Sequence, residues 1–193
     1  MKKWLSIAAA TSILLIGCTT TQETKTSTTQ QVIAPDGLYN KVKDLEKVQA
    51  KVKKVVDGDT IIVDNKGQEK KVRMLLLDTP ESVKPNEAPM PYGKEASHYT
   101  KQLLEGKIVE LVYDKGQKQD HYQRDLAYVF LNGKCVESEI LREGLGIVRY
   151  VKEPNTTLYE DFKQAQEEAK KEKKGVWSKN GYVTQKGKET SYN

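Results

Sequence analysis

Between residues 51 and 77 the chain carries two runs of β-forming residues set off by turn signals, and this pattern limits what it can fold into. The stretch "KVKKVV" leads to Asp57-Gly58, "DTIIVD" follows, then Asn65-Lys66-Gly67, then "EKKVRMLLL". Two such runs joined by a turn containing Asn and Gly read as a β-hairpin. The second run takes in Arg73, continues as an apolar core strand, and leaves on Asp78, Thr79, Pro80 and Glu81. Two carboxylates three residues apart at a strand exit are either a plain loop entrance or the edge of a chemical site.

The rest of the chain supplies the partners such a hairpin needs. A short helix is expected from residue 38 to 49, on the spacing of Leu38, Val42 and Leu45. Pro85, Pro89, Pro91 and Gly93 mark a loop, followed by a helix with Tyr92, Ala96, Tyr99 and Leu103 on one face and Gly106 as its stop. "KIVELVYD" and "LAYVFL" read as two further strands. Asn132-Gly133 turns the chain into a short helix bearing Val136, Ile140, Leu141 and Leu145. A last helix opens at a capping box, Thr157 to Glu160, and shows Leu158, Phe162, Ala165 and Ala169 as a stripe. Five short strands with three interspersed helices predict an α+β fold, mainly β: a closed five-stranded OB-type barrel packed with helices.

The N-terminus reads as an address. "MKKWLSIAAATSILLIGC" has a basic start and an apolar stretch too short and too interrupted for a comfortable spanning helix, so residues 1–17 read as an export signal. Leu15-Ile16-Gly17-Cys18 resembles a bacterial lipobox, in which the cysteine is acylated and becomes the first mature residue. Residues 19–31, almost wholly Thr, Gln and Ser, cannot bury enough surface to offset their ordering entropy. As a flexible tether of about 13 residues they would reach roughly 20 Å. The expected organisation is a signal over 1–17, the lipidated Cys18 and tether over 18–36, a folded domain over 37–179 and a tail over 180–193. The protein would then sit on the extracellular face of the cell membrane, as a monomer on a lipid anchor. Cys135, the other cysteine, has no expected partner and reads as a buried thiol. The formal net charge is +5, and +3 without Lys2 and Lys3, a bias that permits a polyanionic partner without demanding one.

Four clusters could carry chemistry: Asp57-Gly58-Asp59-Thr60, Arg73, Asp78-Thr79-Pro80-Glu81, and "DKGQKQDHYQRDLAY" with Arg124. Each alone has an ordinary reading as a turn, a strand exit or a surface ion pair worth about 0–1 kcal/mol. Together they are more telling. If the hairpin forms, Asp59 at the start of one strand approaches Asp78 at the end of the other. Two carboxylates about 4 Å apart repel by about 4 kcal/mol at an effective dielectric of 20, and a divalent cation offsets that. Carboxylates with a backbone carbonyl are hard ligands that suit calcium, and no His and Cys set has zinc spacing. Two arginines present forks that match a phosphate.

"VVDGDT", "VRMLLLDTPE", "YGKEAS", "DKGQKQDHYQRDLAY" and "EPNT" occur in the order and spacing of the thermonuclease family, and the chain from about residue 51 to 177 resembles those enzymes. The resemblance implies an OB barrel and a calcium-dependent phosphodiesterase that cuts DNA and RNA to 3′-phosphate products. It implies that Asp59 and Asp78 hold Ca²⁺ with the Thr79 carbonyl, that Arg73 and Arg124 grip the scissile phosphate, and that Glu81 orients or deprotonates the attacking water. Tyr122, Tyr150 and His121 would contact the substrate. The chain departs from the family pattern at three positions: His121 replaces a Lys before the Tyr, Gln123 replaces a Gly before the Arg, and Lys152 stands where a second Tyr is common. A nucleic-acid-binding barrel without catalysis is the alternative reading, one that has no need of the carboxylate and arginine set.

Overall fold

The computed structural model describes residues 37–82, 88–187 and 189–193, so the export signal, the tether and Cys18 lie outside the described residues. The chain enters on a single helical turn, α1 (Gly37–Lys41), and passes into β1 (Glu46–Asp57). The expected helix over 38–49 is therefore cut short. Residues 46–51 instead pair with a later strand, and a ladder of tertiary hydrogen bonds outweighs a weak local helix preference.

β1 runs twelve residues because it serves two neighbours. Its first half pairs with β5 (Ile108–Tyr113), and its second half, bent by irregularities at Val52/Lys54 and Val55/Asp57, pairs with β2 (Thr60–Asn65). β2 and β3 (Gln68–Met74) form the expected hairpin across Lys66 (φ 53°) and Gly67 (φ 86°). Two consecutive left-handed residues make the turn whose twist matches paired strands. β5 pairs with β6 (Asp125–Leu131), and β6 returns to β3 in parallel, with Arg73 opposite Leu126, which closes a five-stranded barrel.

The apolar run after Arg73 is not one strand. β3 stops at Met74, Leu76 takes φ 57°, and β4 is only Leu77–Asp78, paired with β8 (Ile147–Val148). An unbroken strand would alternate its side chains between two faces, yet Leu75, Leu76 and Leu77 are all buried. The turn is what brings all three into the core, and it swings Asp78 back across the barrel mouth.

Helices cover the barrel. α2 (Gly93–Leu104) buries Ala96, Thr100 and Leu104, and Thr100 Oγ1 donates to the Gly58 carbonyl at 2.7 Å, tying this helix to the β1–β2 turn. After β7 (Lys134–Cys135) come α3 (Val136–Arg142) and, beyond β8, α4 (Tyr159–Lys171). Phe162 of α4 meets Tyr128 of β6 edge to face at 5.8 Å. Thr157 does not cap α4. Its hydroxyl and amide both donate to the buried Asp114, which also accepts from Tyr128, so a buried carboxylate outcompetes the helix end for that hydroxyl. A 3₁₀ turn (Gly175–Ser178) leads to a hairpin, β9 (Val183–Lys186) with β10 (Glu189–Tyr192). The expected tail is thus ordered, and Tyr182 packs with Ile147 and Val176 in a small second core.

Cys135 is buried as expected, and its thiol lies 3.3 Å from the fully buried Glu137, whose other oxygen accepts from the Val129 amide. Burial pushes the Glu137 carboxyl up to about 8, against the pull of those donors. A raised carboxyl stabilises the fold fully below its unfolded value near 4.5 and loses that contribution as pH rises through about 8. Relative to Glu137→Gln, the unsubstituted chain is expected to lose thermal midpoint steadily between those two pH values and to run parallel above them. Two curves parallel across the whole range, in scanning calorimetry, would show that burial does not raise the Glu137 carboxyl above its unfolded value.

Candidate active site

The site sits at the barrel mouth, where β2 begins, β3 ends and β4 crosses. Gly58 must be glycine there. A Cβ would lie 2.6 Å from Thr79 Oγ1, so the Asp57–Asp59 turn can approach the β4 exit only without a side chain at this position. The approach is locked by Asp59, whose Oδ2 accepts from the Thr79 amide at 2.9 Å and the Thr79 hydroxyl at 3.2 Å. Thr60 Oγ1 holds the other oxygen at 2.9 Å.

Arg73 projects from β3 between the two acids. Its Nη2 donates to Asp78 Oδ1 at 3.0 Å and its Nη1 lies 2.5 Å from Asp59 Oδ2. That Nη1 is buried without a directional hydrogen bond, so charge rather than geometry holds the second contact. Arg149 reaches Asp78 Oδ2 from the other side at 3.0 Å. Burial still dominates: it holds the Asp78 carboxyl above the usual range despite Arg73, with the charge of Asp59 adding to the effect. The guanidinium of Arg73 feels the opposite balance, burial working against its charge and the two carboxylates outweighing it. Asp59 and Asp78 thus turn carboxylate oxygens toward one point from two elements. A convergent pair of hard oxygen donors fits a divalent cation such as calcium. Among the described residues no three His, Cys, Asp or Glu side chains cluster as a metal site, so any such ion would draw further ligands from backbone, water or substrate.

A cavity of about 370 Å³ opens over these groups. Asp59, Arg73, Asp78, Thr79, Glu81, Arg124 and Tyr150 all line it, so the structure gathers in one place residues that the sequence spreads over more than ninety positions. Asp57 lines it too. Its Oδ1 accepts from the Gly58 amide at 2.8 Å and from Ser82 Oγ at 2.7 Å. Burial pushes its carboxyl up to about 7, with the charge of Asp59 and a hydrogen bond with Glu81 adding to the rise.

The rim is basic and aromatic. Arg124 is clamped by Asp120 through Nε and Nη2, each at 2.7 Å, which aims the guanidinium at the cavity. Tyr122, largely exposed, lies against Arg124, with the His121 ring 3.8 Å from its own. Tyr150, also exposed, has the guanidinium carbons of Arg149 and Arg73 at 5.0 and 5.5 Å from its ring centroid. Lys152, two residues on, is exposed.

Sequence reasoning missed Asp57 as a site residue and did not find Arg149 or Tyr192. Asp57 lies within "VVDGDT" and reads as a turn corner, since burial leaves no local mark. Arg149 is a lone basic residue after "GIV". Tyr192 donates to the Asp78 carbonyl at 2.8 Å from 114 residues away, with no signal at that range. Burial holds its phenol well above the usual range, so it is a donor at any working pH.

The substitution of Gln for Gly at 123 has a clear answer. Gln123 adopts φ 60°, the left-handed conformation a glycine takes freely, and its amide donates to the Asp120 carbonyl at 3.0 Å. The turn keeps its shape at the cost of side-chain strain, on the order of 1 kcal/mol. Gln123→Gly is expected to leave activity within twofold and to raise unfolding free energy by up to about 1 kcal/mol, strain relief being partly offset by unfolded-chain entropy. Urea denaturation checks this, and a loss of more than about 1 kcal/mol would refute it.

The sequence model of the Staphylococcal nuclease homologue family matches residues 71–179. Thermonuclease of Staphylococcus hyicus is 48% identical over 66% of this chain and 75% of its own. The SPbeta prophage-derived endonuclease YokF of Bacillus subtilis is 49% identical over 74% of this chain, which spans 48% of its length. An uncharacterized protein of Bacillus anthracis is 42% identical along 100% of the chain and 99% of its own. Named relatives that are nucleases agree with a cavity built from paired acids and arginines: the chain belongs to the staphylococcal nuclease homologue family.

Proposed function

We propose that this nuclease is a calcium-dependent phosphodiesterase that hydrolyses DNA, RNA or both to 3′-phosphate products. The observation that carries the reading is the convergence of Asp59 and Asp78 on one buried guanidinium, in a cavity that Glu81 and Arg124 share. Asp59 and Asp78 would hold the ion through their carboxylates and Thr79 through its carbonyl. A bound calcium would supply positive charge where negative charge builds up on the phosphate.

The chain's own residues account for the rest. Arg73 and Arg124 stand as donors to the nonbridging phosphate oxygens, and their charge stabilises the five-coordinate transition state more than the ground state. Arg73 is bound to both acids in this structure, so a cation between the carboxylates would free its fork for the phosphate. Glu81 orients the water that attacks phosphorus and accepts its proton. The phosphorus–oxygen bond to the 5′ side breaks, leaving the phosphate on the 3′ side and a 5′ hydroxyl that takes up a proton. Asp57, protonated below about pH 7, adds no second negative charge beside Glu81 in that range. Tyr122 and Tyr150 offer ring faces to flanking nucleotides, and His121 adds charge there only when protonated.

The comparison that tests this is cleavage of single-stranded DNA and of RNA in calcium and in excess chelator. Binding without calcium-dependent cleavage would mark a non-catalytic barrel instead. Glu81→Ala and Arg124→Ala are each expected to lower turnover by about 100- to 10,000-fold while circular dichroism stays that of the parent.

The export signal and the Leu15-Ile16-Gly17-Cys18 motif support placement on the outer face of the cell membrane through an acylated Cys18. Cys18→Ser is expected to release the protein into the medium, as read by fractionation, and a variant retained on membranes would count against the anchor.

A further inference from the structure

The C-terminal hairpin lies beyond the residues that the family match covers, yet it is built into the site. Tyr182 anchors its base in the second core and donates to the Pro91 carbonyl at 2.8 Å. The Tyr182 and Tyr192 rings lie 5.4 Å apart, and the Asn193 amide returns to the Tyr182 carbonyl at 2.9 Å. This places the Tyr192 hydroxyl 2.8 Å from the carbonyl oxygen of Asp78.

That carbonyl belongs to the Asp78–Thr79 peptide, and the same peptide's N–H donates to Asp59 Oδ2 at 2.9 Å. A single rigid amide plane is thus held at both ends, by Tyr192 on one side and by an acid of the site on the other. A bond accepted at the carbonyl polarises the amide and strengthens what its N–H donates. The plane also fixes the two residues flanking it: Asp78, whose side chain is held by Arg73 and Arg149, and Thr79, whose own carbonyl follows.

We propose that Tyr192 is a positioning residue for the cation site, acting through the Asp78–Thr79 peptide, and that the C-terminal hairpin is a structural part of the active centre. This rests on the reading of Asp59, Asp78 and Thr79 as calcium ligands. Removing the hydroxyl loosens the plane and weakens the ion's hold, while the arginines and Glu81 keep their places.

The test uses the full chain in detergent, with calcium binding by calorimetry, thermal midpoint in chelator, and kcat and KM across a calcium titration. Tyr192→Phe is expected to weaken calcium affinity about three- to tenfold, as for loss of one hydrogen bond. At saturating calcium, kcat and KM for nucleic acid should stay within twofold. A chain shortened after Tyr182 should show the same shift, which covers the case of a poorly folding point variant. Lys186→Ala, on an exposed part of the same hairpin, should show none. Calcium affinity unchanged in Tyr192→Phe, with only the midpoint lowered, would overturn the proposal and leave the hairpin as a plain brace. An unsubstituted chain that neither binds calcium nor needs it for cleavage would overturn the calcium reading, and this inference with it.

Discussion

Two buried carboxylates facing one guanidinium set the terms for the rest of this molecule. Asp59 and Asp78 would repel each other by several kcal/mol at contact distance in a partly dry environment, and each loses water on burial. Arg73 offsets part of that cost, but its Nη1, 2.5 Å from Asp59 Oδ2, makes no hydrogen bond of good geometry there, so one guanidinium does not fully satisfy both acids. Such an arrangement persists only because the surrounding backbone leaves it no alternative. The strand break at Leu76, the glycine at 58 and the Asp59–Thr79 hydrogen bonds are the parts that supply that constraint.

The barrel supplies it economically in space. Register places Thr60 opposite Arg73, which brings the start of β2 against the end of β3, and the parallel β3–β6 pair closes the wall. α2 holds the Asp57–Asp59 turn through Thr100, while its first residue, Gly93, packs against the Glu81 backbone so closely that a Cβ would sit 2.5 Å from the Glu81 carbonyl. One helix therefore sets the spacing between the Asp57–Asp59 turn and Glu81. Core packing and site geometry are here the same set of contacts, which links stability of the frame to function of the cavity.

Much of this was legible in advance, for identifiable reasons. The hairpin, the barrel class and the approach of Asp59 to Asp78 follow from local signals: turn dipeptides, β-branched runs, and acids at strand exits; the places of Arg73 and Glu81 beside them came from the family resemblance. The misreadings share a cause. Residues 46–49 look as helical as they do extended, until β5 offers them hydrogen bonds. Thr157 looks like a helix cap until Asp114 competes for its hydroxyl. The run from Arg73 to Asp78 looks like one strand, until three leucines need burying together. In each case a partner distant in sequence outweighed a local preference of about 1 kcal/mol or less.

Most elements, the chemistry of the turns and the identity of the donors were readable from the chain alone: hard oxygens, two forked cations, and rings for a rim. Those are properties of residues and their immediate neighbours. Which charges are desolvated, which arginine bridges the acids, and that Arg149 and Tyr192, 71 and 114 positions from Asp78, complete its surroundings were settled by the folded whole. Burial and hydrogen-bond satisfaction are set by the whole chain at once, so no window of sequence contains them.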